Sequence, residues 1–288
     1  MTGRAPPATR EESGLSVLGY ALAVLPALLV FAVIFAWPVI SFVAAGARAL
    51  VDSDTGLADI VGGHSMLTRY GVASLVLAFT TTFITLILGY PVAYYLARSR
   101  SRLRYYVYVG MFVPLLFSIV VRTFGWIILL GSNGVLNGVL RGLGIIQEPV
   151  VWLYNFWAAV AGLVHVFLPF MVLSILSSLS RIDERIEEAA TILGANGLRV
   201  FSYVTLPLSA PGVFGGCAIV FSLSMGVYVT PRLLGGGRVQ VLATEIYSQM
   251  LELGDWSAAA TLGIVLMILT FSVVAIYRLL LPSRIAGR

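Results

Sequence analysis

The residues of this chain whose types and spacing carry chemistry fall in one polar interval, 181–207, between two long apolar runs. It reads Arg181, Ile182, Asp183, Glu184, Arg185, Ile186, Glu187, Glu188, Ala189, Ala190, Thr191, Ile192, Leu193, Gly194, and then, after nine more residues, Val204 followed by Leu206 and Pro207. Asp183 is placed to cap a helix, Glu184 and Glu187 to complement its dipole in the first turn, and Gly194 and Gly197 to stop it. Ala190 and Gly194 lie four apart, which predicts a small-residue face that another backbone approaches closely. Such a helix does no covalent chemistry. Its acidic start and small face suit it to docking in a groove on another protein.

Composition excludes most alternatives. All eighteen basic residues are arginine, with no lysine anywhere. A Walker A loop needs a lysine to reach the phosphates, so the chain is not itself a P-loop ATPase, and ATP that drives it must be hydrolysed on a separate chain. Gly235, Gly236 and Gly237 follow no strand and precede no lysine, and they read as a helix end. The single Cys217 lies in an apolar run and builds neither a disulfide nor a cysteine metal site. The two histidines, His64 and His165, belong to different regions, and no paired-carboxylate or Ser/His/Asp arrangement accompanies them. An enzyme is disfavoured, and no cofactor is expected on this chain.

The elements that must position the polar interval are membrane helices. Hydrophobic residues make up 59% and charged residues 11% of the chain, far from the balance of a soluble domain. Six apolar runs, 15–47, 71–97, 105–131, 151–179, 208–233 and 256–281, reach the ~20 residues that cross a bilayer core. The expected architecture is therefore all-α and integral to the membrane, with a tail over 1–14 and one transmembrane domain over 15–288. The first run far exceeds a signal-peptide core, although Ala44, Ala45, Gly46 and Ala47 look like a cleavage region, and it reads as a retained helix. Pro26, Pro38, Pro91, Pro114, Pro169 and Pro211 lie within or near helix ends, where each removes a donor and favours a kink. The stretch 131–149 mixes turn residues with Val135, Leu136, Val139 and Leu140 and fits a short helix at the outer interface.

Arginines near the helix ends set the orientation. Twelve of them, Arg4, Arg10, Arg98, Arg100, Arg102, Arg104, Arg181, Arg185, Arg199, Arg278, Arg284 and Arg288, fall on the side that carries both termini and the 181–207 loop. Five, Arg48, Arg69, Arg141, Arg232 and Arg238, fall on the other. Both termini and the loop are expected in the cytoplasm. No acidic residue lies within any of the six runs, which argues against a secondary transporter with a proton or sodium relay. A transporter or channel uncoupled from an ATPase remains the alternative.

The spacing Glu188-Ala189-Ala190, three residues, Gly194, nine residues, Val204, one residue, Leu206-Pro207 resembles the cytoplasmic loop of permease subunits of bacterial ABC importers, with valine at 204 where isoleucine is usual. Gly89 to Ala97, Val121 to Trp126 with Gly134 to Asn137, and Tyr228 to Gly236 are similar to the spermidine/putrescine-type permeases, in particular their first permease subunit. The resemblance runs from about Leu15 to Leu281.

This resemblance implies a six-helix permease of the type I ABC importer (MetI-like) fold in the bacterial inner membrane. Glu187, Glu188, Ala189, Ala190, Gly194, Val204, Leu206 and Pro207 would couple it to ABC ATPase subunits that carry ATP and Mg. A second homologous permease, an extracytoplasmic substrate-binding protein and membrane lipid complete the expected partners, with no nucleic acid. The implied substrate is a polyamine or a related small solute, with other organic cations, opine-like compounds, phosphonates and ferric ions carried elsewhere in the wider family. Some relatives hold an acid where this chain has Val227, so a carboxylate for a cation is missing there. Candidate pathway residues are Arg122, Trp126, His165, Tyr228 and Glu245. Arg122, ~17 residues into an outward-running helix and so ~25 Å from the inner face, must face protein, a water-filled cavity or headgroups. His165 either contacts substrate or bonds a neighbouring helix. Glu245, with Glu252 and Asp255, either attracts a polyamine or is simply solvated, and Arg232 and Arg238 oppose the attraction.

Overall fold

A computed structural model describes residues 17–51 and 66–280. The expected tail 1–14, most of the loop 51–70 with His64, and the basic residues Arg284 and Arg288 lie outside the described residues. Among the described residues every regular element is helical, as lipid demands of backbone that has no water to bond. Helices α1 (Val17–Phe31) and α2 (Trp37–Val51) are joined by a π turn, and α3 (Met66–Arg98) is the longest. Then come α4 (Leu103–Phe112), α5 (Ile119–Leu130), α6 (Val135–Gly142) and α7 (Phe156–Leu179). After the connecting helices α8 (Glu184–Ile192) and α9 (Gly197–Val200) follow α10 (Leu206–Gly226), α11 (Val229–Leu234), α12 (Leu242–Tyr247) and α13 (Trp256–Leu280). Among the described residues six stretches are long and apolar enough to cross a membrane: Val24–Arg48, Leu67–Arg98, Ile119–Gly142, Phe156–Leu179, Gly197–Gly226 and Trp256–Tyr277.

The core is the mutual packing of α3, α7 and α10. Leu77, Leu96, Leu163, Met171, Ile175 and Val220 are fully buried there. Apolar side chains gain little by leaving lipid for protein, so close backbone approach must hold these helices together. Small residues provide it. A Cβ on Gly212 would meet the Ser174 carbonyl at 2.6 Å, and one on Gly216 would meet the Met171 sulfur at 2.7 Å. The Ser174 hydroxyl donates to the Gly212 carbonyl at 2.8 Å across the same crossing. Helix α2 lies on α13 by the same means, Gly46 against the Ala260 backbone and Gly263 against Phe42. Two buried hydroxyls on α3 are satisfied one turn back, Thr82 to Ala78 and Thr85 to Thr81, while that of Thr81 has no partner. Ser74 donates to Tyr70 and accepts from the Leu242 amide at 2.8 Å, tying α12 to α3.

Three expected elements differ. The run 105–131 is not one helix: α4 ends in a 3-10 turn over Val113–Leu116, Phe117 is extended (ψ 145°), and Ser118 caps α5. Pro114, with no N–H to donate, accounts for the break, whereas the helices continue through Pro26, Pro91, Pro169 and Pro211. Arg122 therefore stands in the first turn of α5, and a depth of ~25 Å counted along a continuous helix does not apply. The run 208–233 begins earlier, with helix from Gly197 through a π turn at Phe201–Thr205, and stops at Gly226 because Val227 is extended. Val204, Leu206 and Pro207 are thus helical rather than part of a loop over 181–207.

Candidate functional site

Helix α8 is defined at both ends by side-chain and backbone chemistry. Asp183 Oδ1 accepts the Arg185 amide at 3.0 Å, and Glu184 and Glu187 occupy the positive first turn. At the other end the Gly194 amide donates to the Thr191 carbonyl at 3.0 Å and the Ala195 amide to the Ala190 carbonyl at 3.1 Å. This paired closure requires a left-handed residue, and Gly194 has φ +88°. Gly194 lies outside the helix, and a Cβ there would meet nothing within 4 Å. The expected shared face of Ala190 and Gly194 is not formed; the glycine serves the turn. Gly197 does not end α8 but opens α9, capped by Asn196, whose Oδ1 accepts the Arg199 amide at 2.9 Å.

Glu187 fastens this connector to the membrane helices. Its carboxylate takes two bonds from Arg98 at the end of α3, Nε to Oε2 at 3.1 Å and a terminal nitrogen to Oε1 at 2.8 Å. Oε1 also accepts from the Thr205 hydroxyl at 3.0 Å, and Arg98 reaches the Leu179 carbonyl at 3.4 Å. The carboxylate thereby joins α8 to the end of α3 and to the π turn that leads into α10, and Arg98 extends the joint to the end of α7. Only 15% of the Arg98 side chain and 14% of that of Glu187 remain exposed, so the pair is shielded and its two-pronged geometry is the strong form of a charge-assisted bond. Nearby, Tyr90 bonds Ser209 at 2.8 Å and meets Phe201 edge-on at 5.4 Å, fixing the start of α10. The Arg100–Glu184 pair, at 3.5 Å with Arg100 92% exposed, adds little.

The outer surface of the connector is different. Glu188 and Ala189 are exposed, Ala190 and Val204 half-buried, Leu206 and Pro207 exposed. Ile192 and Leu193 are 85% and 88% exposed, with Leu198 and Tyr203 similarly bare. Between α8 and the membrane helices runs a groove of about 340 Å³ lined by Tyr94, Arg98, Glu184, Glu187, Glu188 and Thr191 among others. Apolar tips thus stand exposed beside an acidic first turn, on a helix anchored from behind.

The model of the binding-protein-dependent transport system inner membrane component family matches residues 83–285. The chain belongs to this family. It is a multi-pass permease of the ABC importer class, an inner membrane transport subunit and not itself an enzyme. The permease is 34% identical over 204 residues to the spermidine/putrescine transport system permease protein PotB of Escherichia coli (strain K12), an alignment covering 71% of this chain and 74% of that one. Its fold matches a chain of a bacterial alginate ABC transporter solved with an alginate pentasaccharide-bound periplasmic protein, with TM-score 0.66, 19% identity, and 90% and 92% of the two chains covered. It also matches a chain of the MetNI methionine ABC transporter in an inward-facing conformation, with TM-score 0.54, 18% identity, and 76% and 94% covered.

The five pathway candidates of the permease separate into two groups. Trp126 donates its indole N–H to His165 Nδ1 at 3.4 Å, ring centroids 5.8 Å apart, linking α5 to α7. Arg122 lies one turn before Trp126 on α5, its Nε and one terminal nitrogen buried without a partner. Tyr228 stacks on Tyr247 at 4.6 Å, and Arg232 lies over the same ring at 5.8 Å while pairing with Glu252. Glu245 accepts from Gln249 at 2.8 Å and lines a cavity of about 90 Å³ with Arg232. Helix α11, which packs on both α5 and α7, bridges the two groups, and its Thr230 hydroxyl is also unpartnered. Sequence reasoning missed Arg98 and Thr205 as site residues. Arg98 registered only as a charge at a helix end, and nothing local marks a partner 89 residues away.

Proposed function

We propose that this permease imports polyamines such as spermidine and putrescine, driven by ATP that partner ATPase subunits bind with Mg. The substrate reading is carried by the 34% identity to a spermidine/putrescine permease across most of both chains. In this reading α8 docks on an ATPase subunit through Glu188, Ala189, Ile192 and Leu193, and Glu187 transmits the motion to α3, α7 and α10. Both termini and α8 face the cytoplasm, and a second permease and an extracytoplasmic binding protein complete the complex. Glu188 supports the docking role because it is exposed and acidic beside two bare apolar side chains.

The mechanism follows from the joints. ATP binding draws the ATPase subunits together, and α8 moves with the surface it occupies. The Glu187–Arg98 pair makes that displacement common to α3 and the base of α10, whose crossings with α7 at Gly212 and Gly216 are too tight to deform gradually. The bundle therefore changes as a body and exposes the pathway to the binding protein. Radiolabelled spermidine uptake into proteoliposomes with all partner subunits tests the proposal. Uptake that needs ATP and the binding protein, and competes with putrescine, is expected. Stimulated ATP hydrolysis without polyamine uptake overturns the substrate while leaving the coupling reading standing.

A further inference from the structure

A cleft of about 720 Å³ lies far from α8, at the opposite ends of α3 and α7. It is bounded by Arg69, Val72, Ala73 and Val76 in the first turns of α3, by Asn155 and Phe156 at the start of α7, and by Arg238 with Gln240 after α11. Helix α3 reaches from Arg69 to Arg98, ~44 Å at helical rise, so cleft and coupling helix mark opposite membrane faces. None of the lining residues is acidic, and neither Arg69 nor Arg238 forms an ion pair among the described residues.

Three features converge on an anion with an apolar tail. Two exposed guanidinium groups stand at the mouth. The N-terminus of α7, at Asn155 and Phe156, opens into the same space and adds its positive dipole end. Below the mouth, Val72, Val76, Phe79, Phe83 and Ile87 form one exposed stripe along α3, spaced four, three, four and four residues apart, long enough to line an acyl chain. The wall itself is specially built: Tyr154 holds a left-handed φ of 63°, rare for a residue with a side chain, and its ring packs on Gly236, where a Cβ would meet it at 2.5 Å. A cationic substrate is repelled here, and a protein interface would have to cover two arginines that form no ion pair among the described residues, against the usual depletion of charge at an interface core.

We infer that this cleft binds an anionic phospholipid of the surrounding membrane, its phosphate held by Arg69 and Arg238 and one acyl chain lying along α3. The inference rests on the membrane-spanning fold and stands apart from the substrate and coupling readings. The test is native mass spectrometry of the full chain released from nanodiscs of phosphatidylglycerol and phosphatidylcholine, counting each lipid retained. Wild type is expected to retain phosphatidylglycerol selectively. Each arginine near anionic lipid is worth about fivefold in affinity, so Arg69→Gln with Arg238→Gln should weaken retention about thirtyfold. Arg69→Lys with Arg238→Lys should keep most of it, and Ala73→Trp, which fills the cleft and leaves the charges, should weaken it as well. Equal retention of the two lipids, or undiminished phosphatidylglycerol in both the double Gln and Trp variants, overturns the inference. So does efficient cross-linking of Val72→Cys or Val76→Cys to another protein in the assembled transporter, because a protein then covers the stripe.

Discussion

Replacing Glu187 by glutamine removes one charge and almost no volume, and it isolates the joint between α8 and the membrane helices. Arg98 would keep its place with about six-sevenths of its side chain covered and no counter-ion. The amide offers one acceptor oxygen where the carboxylate offers two, and because Arg98 donates to both oxygens, its NH2 faces a guanidinium nitrogen whichever way it turns. Breaking a fully buried pair costs about 3–5 kcal/mol. With one-seventh of each side chain still wet, about 2 kcal/mol is reasonable, equivalent to about thirtyfold in the population of the anchored connector. Hydrogen exchange of the α8 amides in the intact permease reads this directly, and the ratio of substrate moved to ATP hydrolysed reads its consequence. Faster α8 exchange and a lowered ratio are expected for Glu187→Gln, with partial recovery when Arg98→Glu is combined with Glu187→Arg. Unchanged exchange and an unchanged ratio refute the reasoning.

Other positions make separate predictions. Gly194→Ala places a Cβ in a left-handed turn at a cost of about 1–2 kcal/mol, which should fray the end of α8 in hydrogen exchange while the expression level stays unchanged. Gly212→Leu drives a side chain into the Ser174 carbonyl and the Ser178 side chain and should lower the melting temperature by overpacking worth about 1–3 kcal/mol; an unaltered melt refutes the tight α7–α10 crossing. Trp126→Phe removes the indole donor to His165 and should weaken uptake with little effect on stability, whereas unaltered uptake makes that bond structural only. A cysteine at Ser101 should be labelled by a membrane-impermeant thiol reagent only from the cytoplasmic side, and labelling from outside reverses the proposed orientation.

The all-α membrane fold was legible because a bilayer leaves few options: each long apolar run has to satisfy its backbone internally, and α3, α7 and α13 lie where the runs lie. Both ends of α8 were readable from Asp183 and Gly194, since caps and left-handed turns are local chemistry. Legibility failed where a local signal competed with a longer one. Apolar composition carried the run 105–131 past the Pro114 break, and Gly197, which reads as a helix stop, hid the start of the helix that leads into α10. The role of Glu187 was half legible. Its place in the first turn predicts a dipole partner, but its pairing with Arg98 and Thr205 exists only once α3 and α10 meet. Trp126 and His165, on separate helices, came together for the same reason.

The most direct test of the central claim is disulfide cross-linking from the tip of α8. Cys217 is buried, so Leu193→Cys adds a single exposed reporter at a side chain 88% bare. In membranes containing the complete transporter, with a cysteine scanned along the ATPase surface, mild oxidation is predicted to join Leu193→Cys to the ATPase, with a yield that changes when ATP binds. An ATPase that assembles with the permease yet cross-links only elsewhere, leaving position 193 unjoined in every nucleotide state, would contradict the assignment of α8 as the coupling element.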